Sequence, residues 1–350
     1  MAEKLAKRAV IGGKVVSLPS SLDGVPQVST AAFFWNAVSR LGVRRTAEKI
    51  LAKEALGFED IEDLLAVVPL SILMKLVSLR SETIGEVASA PKLPLPALFL
   101  PVIRYSESRS PLELKEMLRE VLAPLEGEPF EAYLDNPRSA QEWKRYFAIV
   151  EWLPELSRSI RVVAPSVSEM VGGPSEHLLT RKVYSTHKIV ERLNRLREIG
   201  VTRLRSAQTL CDAEVMHRSG FAVSVSHTIE AHFGARRIAH ELVRLNEFSR
   251  TVAPVQSWVP GFSRAQLRGQ SPSVRDLTLL RVLAVGSVAL TEVKYRRASN
   301  RHFSPFGLAL AKMCGANDFG FAARDPFTAS ELDFLDMKEV LTAVHGTVAA

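Results

Sequence analysis

From residue 91 onward the sequence alternates short apolar, β-rich runs with helical segments, and it does so eight times over. The strand-like runs fall at 97–103, 130–134, 159–163, 202–206, 221–226, 255–259, 290–295 and 317–321. Helical spacing occupies 111–122, 139–153, 185–199, 211–218, 234–250, 273–287, 304–314 and 329–343 between and after them. Strict strand–helix alternation calls for parallel pairing, because parallel neighbours need a crossover and cannot be joined by a hairpin. A closed (β/α)8 barrel of the TIM type is the simplest α/β solution. A doubly wound open sheet is the alternative, but its usual GxGxxG turn after the first strand is missing. Local punctuation agrees with the helices: Ser110-Pro111 and Ser304-Pro305 put proline at a first helical position, and Gly200 follows Ile199 as a natural stop.

The segments before residue 91 read differently. Residues 1–30 are rich in Gly, Ser and Pro without a sustained period, and predict a loosely docked leader. Helical spacing then dominates 31–41, 45–56 and 59–67, the last opening on acidic residues that suit a helix N-terminus. The expected organisation is a leader over 1–30, a helical preamble over 31–90 and a barrel over 91–350. A length of 350 residues suits one barrel with an extension. At 47% hydrophobic and 24% charged residues the chain has the composition of an ordinary globular protein, which excludes disordered and fibrous classes.

The apolar stretch 67–79 is broken by Pro69 and Lys75 and is too short to span a bilayer. Lys14 interrupts the apolar segment behind the basic start, which argues against a signal peptide. Cys211 and Cys314, the two cysteines, form neither a disulfide framework nor a CxxC knuckle, so a reducing, cytoplasmic setting is expected. The net charge is +7, which favours anionic partners. The densest basic stretch, Lys294, Arg296, Arg297, Arg301 and His302, lacks interleaved stacking aromatics. Nucleic acid is therefore not the expected partner, and a small anionic metabolite is.

Chemistry is sought where polar residues interrupt strands that should be aliphatic on both faces. With period two, Arg203 and Arg205 share a face of the fourth predicted strand, Ser224 and Ser226 one of the fifth, and Glu292 and Lys294 one of the seventh, while Asp318 lies early in the eighth. Two readings stand side by side. In one, Glu292 and Asp318 pair with the arginines in a structural network. In the other, these residues line a cationic pocket at the barrel's C-terminal mouth, where such folds build their sites, fit for a carboxylate or phosphate. A second group, His227, Glu230 and His232, follows the fifth strand, with His240 in the next helix. Its spacing matches no helical zinc motif, and a metal site, acid/base work or ligand contact, and plain hydrogen bonding stand as its readings, with no metal assigned.

Several passages carry a family likeness: Glu59-Asp60-Ile61 through Leu73, Ala164-Pro165-Ser166-Val167-Ser168-Glu169, Val190-Glu191-Arg192-Leu193 through Val201, Ala231-His232, Arg237 through Leu245, Asp276 through Ala284, and Gly315-Ala316-Asn317-Asp318-Phe319-Gly320. In this order they resemble the radical S-adenosylmethionine enzymes of futalosine-route menaquinone biosynthesis, the aminofutalosine synthase and cyclic dehypoxanthine futalosine synthase group, with their deazaflavin-cofactor synthase cousins. The resemblance implies a (β/α)8 barrel and a ligand-facing role for Glu169. The family also carries CxxxCxxC after the first barrel strand, whose thiolates hold an iron–sulfur cluster. Here that position reads Val102 to Ser110 without cysteine, and the family's Gly-Gly segment at strand two is Asp135-Asn136-Pro137. No [4Fe-4S] cluster is expected, and whether S-adenosylmethionine binds without one is left open. The expectation is a cluster-less, non-catalytic barrel that binds a small anionic metabolite and serves a cluster-bearing homologue as partner or regulator. The alternative is an enzyme of non-radical acid/base chemistry (a lyase, isomerase or hydrolase) on a carboxylated substrate.

Overall fold

A computed structural model describes residues 8–11, 14–17, 30–84, 95, 97–123, 127, 129–171, 178–179, 186–230, 234–263 and 271–320. The chain divides into two compact units, Met1–Arg44 and Arg45–Ala350. In the first, β1 (Arg8–Ile11) and β2 (Lys14–Ser17) pair antiparallel, Arg8 opposite Ser17. The expected leader thus carries a hairpin at those positions. Helix α1 (Thr30–Arg40) follows, with Phe34 edge-on to Trp35 and the Arg44 guanidinium 5.9 Å from the Trp35 ring.

The second unit opens with α2 (Arg44–Ala52), α3 (Phe58–Ala66) and α4 (Leu70–Ile84). Asp60 ties the first two together, accepting from Thr46 at 2.8 Å and pairing with Lys49 at 2.6 Å. Strands and helices then alternate: β3 (Ala97–Leu100), α5 (Val102–Tyr105), α6 (Pro111–Leu122), β4 (Phe130–Leu134), α7 (Ala140–Leu156), β5 (Ile160–Ala164), α8 (Val167–Met170), α9 (Thr186–Glu198), β6 (Arg203–Leu204) and α10 (Leu210–Arg218). The second half runs β7 (Val223–Thr228), α11 (Ala235–Thr251), β8 (Val255–Gly261), α12 (Pro272–Ala289), β9 (Tyr295–Ser299), α13 (Pro305–Met313) and β10 (Asp318–Gly320). Many of these helices begin on a hydroxyl cap, as polar first-turn chemistry requires. Ser110, Ser139, Ser166 and Thr209 each accept from the backbone N–H three residues on, where Glu113, Glu142, Glu169 and Asp212 stand.

All the barrel pairings are parallel, in the order β3-β4-β5-β6 and β7-β8-β9-β10. One residue stitches the two sheets: Ala207 bridges to Val225, donating to Ser224 O at 2.7 Å and accepting from Ser226 N at 2.8 Å. The sheet curls into a TIM-type barrel, so that Arg297 on β9 lies within electrostatic reach of Glu131 on β4. No ladder joins β10 to β3 among the described residues. Outside the strands, α3 packs along α11 and α4 along α12. Arg281 of α12 donates to Leu65 O at 2.7 Å, and Arg80 of α4 to Val288 O at 2.5 Å, so both arginines satisfy carbonyls at helix ends.

Two predicted strands need correction. The run 97–103 leaves extended conformation at Leu100, and Val102 starts the short α5. The run 290–295 is not a strand; α12 extends to Ala289, and the strand comes later, at Tyr295–Ser299. The cause is that Leu290 and Val293, both buried, sit in the turn after α12 and give it a strand-like apolar signal. The true strand, YRRAS, carries little aliphatic signal. The predicted helix 329–343 lies outside the described residues.

Candidate functional site

The ladder register fixes which side chains share the barrel's inner face. Phe99, Tyr133, Val163 and Arg203 are successive partners across β3 to β6, so they point the same way. Glu131, two residues before Tyr133, joins them. Its carboxylate ion-pairs with Arg203 and accepts from the Tyr133 hydroxyl at 2.8 Å. Burial first, and then the Glu131 carboxylate, raise the Tyr133 hydroxyl above the usual phenol range. Across the interior Arg297 binds Asp318 at 2.8 Å. Burial opposes the Arg297 charge, but Asp318 and then Glu131 more than offset it and raise its pKa. The ladders put Arg203 level with Tyr133 and Val163, late in β4 and β5, and Glu131 two residues earlier, so this layer lies inside the barrel, below the strand ends.

A second polar layer stands past the strand ends. Arg205, just beyond β6, donates to Glu169 and to Asn136 Oδ1, each at 2.8 Å, and also to Leu134 O. Its guanidinium is 5.8 Å from the Tyr133 ring. Burial works to raise the Glu169 carboxyl, yet Arg205 and the Ser166 N–H outweigh it and hold Glu169 below the usual carboxylate range. The same carboxylate completes the cap of α8, accepting from Ser166 N at 2.8 Å. Asp135 accepts from Ile103 N at 2.8 Å and Arg104 N at 2.9 Å, and burial raises its pKa.

The other half of the inner face is lined by small hydroxyls. On β7 the half-buried Ser224, Ser226 and Thr228 alternate with buried Val223, Val225 and His227. Ser224 contacts Ser206 Oγ at 3.0 Å and is the ladder partner of Ser257. The Ser257 hydroxyl is buried and has no hydrogen-bond partner among the described residues, as is also true of Arg205 Nε.

The predicted site residues thus separate. Arg203 and Asp318 belong to the inner layer, Arg205 and Glu169 to the mouth, and Ser224 and Ser226 to the hydroxyl face. Glu292 and Lys294 are corrected: both precede β9 and are exposed, with Lys294 5.1 Å from the Tyr295 ring rather than inside the barrel. Arg297 takes the interior place. The excess of cations disappears with that shift, because Arg203, Arg205 and Arg297 each meet a carboxylate.

His227 is corrected as well. It points away from the lumen into the sheet–helix layer, fully buried, its Nε2 2.7 Å from Glu241 Oε2 on α11. Burial raises the Glu241 carboxyl, and the bonds from His227 and Arg237 more than reverse it, leaving its pKa lowered. Arg237 continues the chain to Glu230 at 2.6 Å. His227 and Glu230 therefore hold β7 to α11 and do not converge on the lumen. His240 is exposed, and His232 lies outside the described residues.

Glu131, Tyr133 and Arg297 went unnoticed in sequence because a carboxylate in FEAYL reads as an isolated interruption. Its partner stands 72 residues away. One further imidazole sits at the rim. His302 accepts from Phe262 N at 3.3 Å and lies against Gly261, where a Cβ would come within 2.5 Å of its ring. Burial, then the charges of Arg301 and Arg275, lower its pKa to about 4.

A cluster of the radical-enzyme kind does not fit these residues. It needs three thiolates after the first barrel strand, and the chain has two cysteines, both elsewhere. Cys314 ends α13, fully buried, with its thiol pushed up to about 12 by burial; Cys211 is half-buried in the first turn of α10. Among the described residues no group of three or more His, Cys, Asp or Glu side chains is placed to hold a metal ion. No described helix is long and apolar enough to cross a membrane.

No protein-family model and no curated protein matches the sequence. Solved structures do match the fold. Methylornithine synthase (PylB) superposes with a TM-score of 0.53 at 14% identity, over 79% of this chain and 85% of its own. The FeFe-hydrogenase maturase HydG from Carboxydothermus hydrogenoformans gives 0.57 at 10% identity, over 85% of this chain and 75% of its own. A second HydG structure gives 0.52 at 11% identity, over 84% and 72%. At such identities the likeness is one of fold, and the chain shares the α/β barrel fold of these neighbours.

Proposed function

We propose that this barrel binds a small anionic metabolite against its hydroxyl-lined half and acts without catalysis, as partner or regulator of a cluster-bearing homologue. The link to menaquinone-type biosynthesis, a cytoplasmic location and the absence of an iron–sulfur cluster belong to the same reading. The observation that carries it is the buried Ser257 hydroxyl, unpartnered on an inner face otherwise made of Ser224, Ser226 and Thr228. A buried hydroxyl without a partner costs free energy, and a ligand's acceptor would recover it. The chain's net charge of +7 supplies a general positive field that favours an anion.

Acid/base chemistry on a carboxylated substrate is the weaker reading, because His227 and Glu230 are already engaged away from the lumen. Native mass spectrometry of the protein purified without refolding is the test, joined to affinity capture of a cluster-bearing homologue. A retained small molecule that is lost in Ser224→Val/Ser226→Val supports the reading. Recovery of no retained molecule and no captured homologue overturns it.

A further inference from the structure

Two departures from the resembled family, far apart in sequence, meet in space. One is the cysteine-free stretch after the first barrel strand; the other is Asp135-Asn136-Pro137 at the end of the second. The Asp135 carboxylate spans them, one oxygen on Ile103 N and the other on Arg104 N. These are amides at the start of α5, which nothing within so short a helix could satisfy. The connection is closed further by its own residues. Val102 and Ile103 are buried, the Ser106 hydroxyl donates to Ile103 O at 2.7 Å, and the Arg109 guanidinium lies 4.9 Å from the Tyr105 ring. Beside it Asn136 is bound to Arg205, which Glu169 already neutralises.

We propose that Asp135 is a positioning residue that locks the first strand–helix connection shut, so that the protein's own main chain and side chains fill the mouth above β3 and β4 and S-adenosylmethionine is excluded there. The inference rests on the reading of the chain as a cluster-less relative. It adds a physical link: the cysteine-free connection is held by the carboxylate that directly follows β4. A ligand of this protein then has the β7–β10 side of the mouth left to it.

The test has two arms on the full chain. The first follows amide hydrogen exchange at Ile103 and Arg104 in the wild type, Asp135→Asn and Asp135→Ala. Exchange about tenfold faster or more in Asp135→Ala is expected, with an intermediate rise in Asp135→Asn, which keeps one acceptor, and amides of β7 unchanged. If Asp135→Ala does not fold, Asp135→Asn decides alone. Unchanged exchange at both amides overturns the lock. The second arm titrates the wild type with S-adenosylmethionine by calorimetry, after anaerobic incubation with iron and sulfide. No heat of binding is expected, and saturable binding overturns the exclusion. Either failure leaves the proposed metabolite site testable, because retention of a different small molecule by the wild type is read separately by mass spectrometry.

Discussion

The two halves of the barrel are held together from opposite sides. Sheet β3–β6 is braced from within: Glu131, Tyr133 and Arg203 occupy its inner face, and Phe99 and Val163 fill the space between. Sheet β7–β10 is braced largely from without, where His227 meets Glu241 and the Trp258 ring lies on Gly286 of α12. On β7 and β8 its inner face keeps serines, a threonine and Gly261, and its interior ion pair, Arg297 with Asp318, is confined to β9 and β10. A lumen filled on one side by structural pairs leaves its usable surface on the other. The difference separates residues that hold the fold from residues free to hold something else.

The sharpest way to break this contrast is His227→Ala. It leaves the Glu241 carboxylate buried with only Arg237 and opens a cavity, and a loss of about 4 kcal/mol in urea unfolding is expected. A loss below about 1 kcal/mol would mean that the outer brace is dispensable.

Acid should strain the second half next. The pKa of His302 falls from the ordinary 6.5 to about 4 on folding, so the unfolded chain binds the extra proton between those values. Its contribution is complete above about pH 6.5 and is lost as pH falls towards 4, up to about 3 kcal/mol. His302→Gln should flatten the dependence of Tm on pH in that window, and an unaltered slope would assign the acid sensitivity elsewhere.

The inner brace should cost less to cut, because Arg203 is reached by solvent. Glu131→Leu is expected to lose about 2 kcal/mol, and Glu131→Leu/Arg203→Met to recover most of it, in paired unfolding measurements. Smallest of all is Ser224→Val/Ser226→Val: within about 1 kcal/mol in stability, yet with loss of the retained metabolite. A large destabilisation there would make the hydroxyl face structural after all.

Alternation was legible wherever a strand is aliphatic. The predicted 130–134 coincides with β4, and 255–259 falls within β8, because FEAYL and VQSWV carry β-branched or aromatic residues bounded by polar turns. The strand at 295–299 was hidden because its inner face is polar, the property that makes it interesting. For the site, period two places Ser224 and Ser226 on one face, but the predicted strand ends at 226, so His227 reads as a loop residue beyond it. What it could not supply was which face looks inward, since that depends on Glu241 waiting on a helix fourteen residues later. Nor could it pair Arg203 with Glu131, a contact made across an intervening strand.

The stitch at Ala207 bears on how such a lumen is reached. Elsewhere among the described residues neighbouring strands are joined by ladders, β10 and β3 excepted. Between β6 and β7 the wall is fastened by the two backbone bonds of one residue, with the Ser206–Ser224 hydroxyl contact beside them. Parting them costs roughly 1–3 kcal/mol, a thermally frequent event. Mechanically the barrel is therefore a clasp more than a tube, and its catch opens beside the serines.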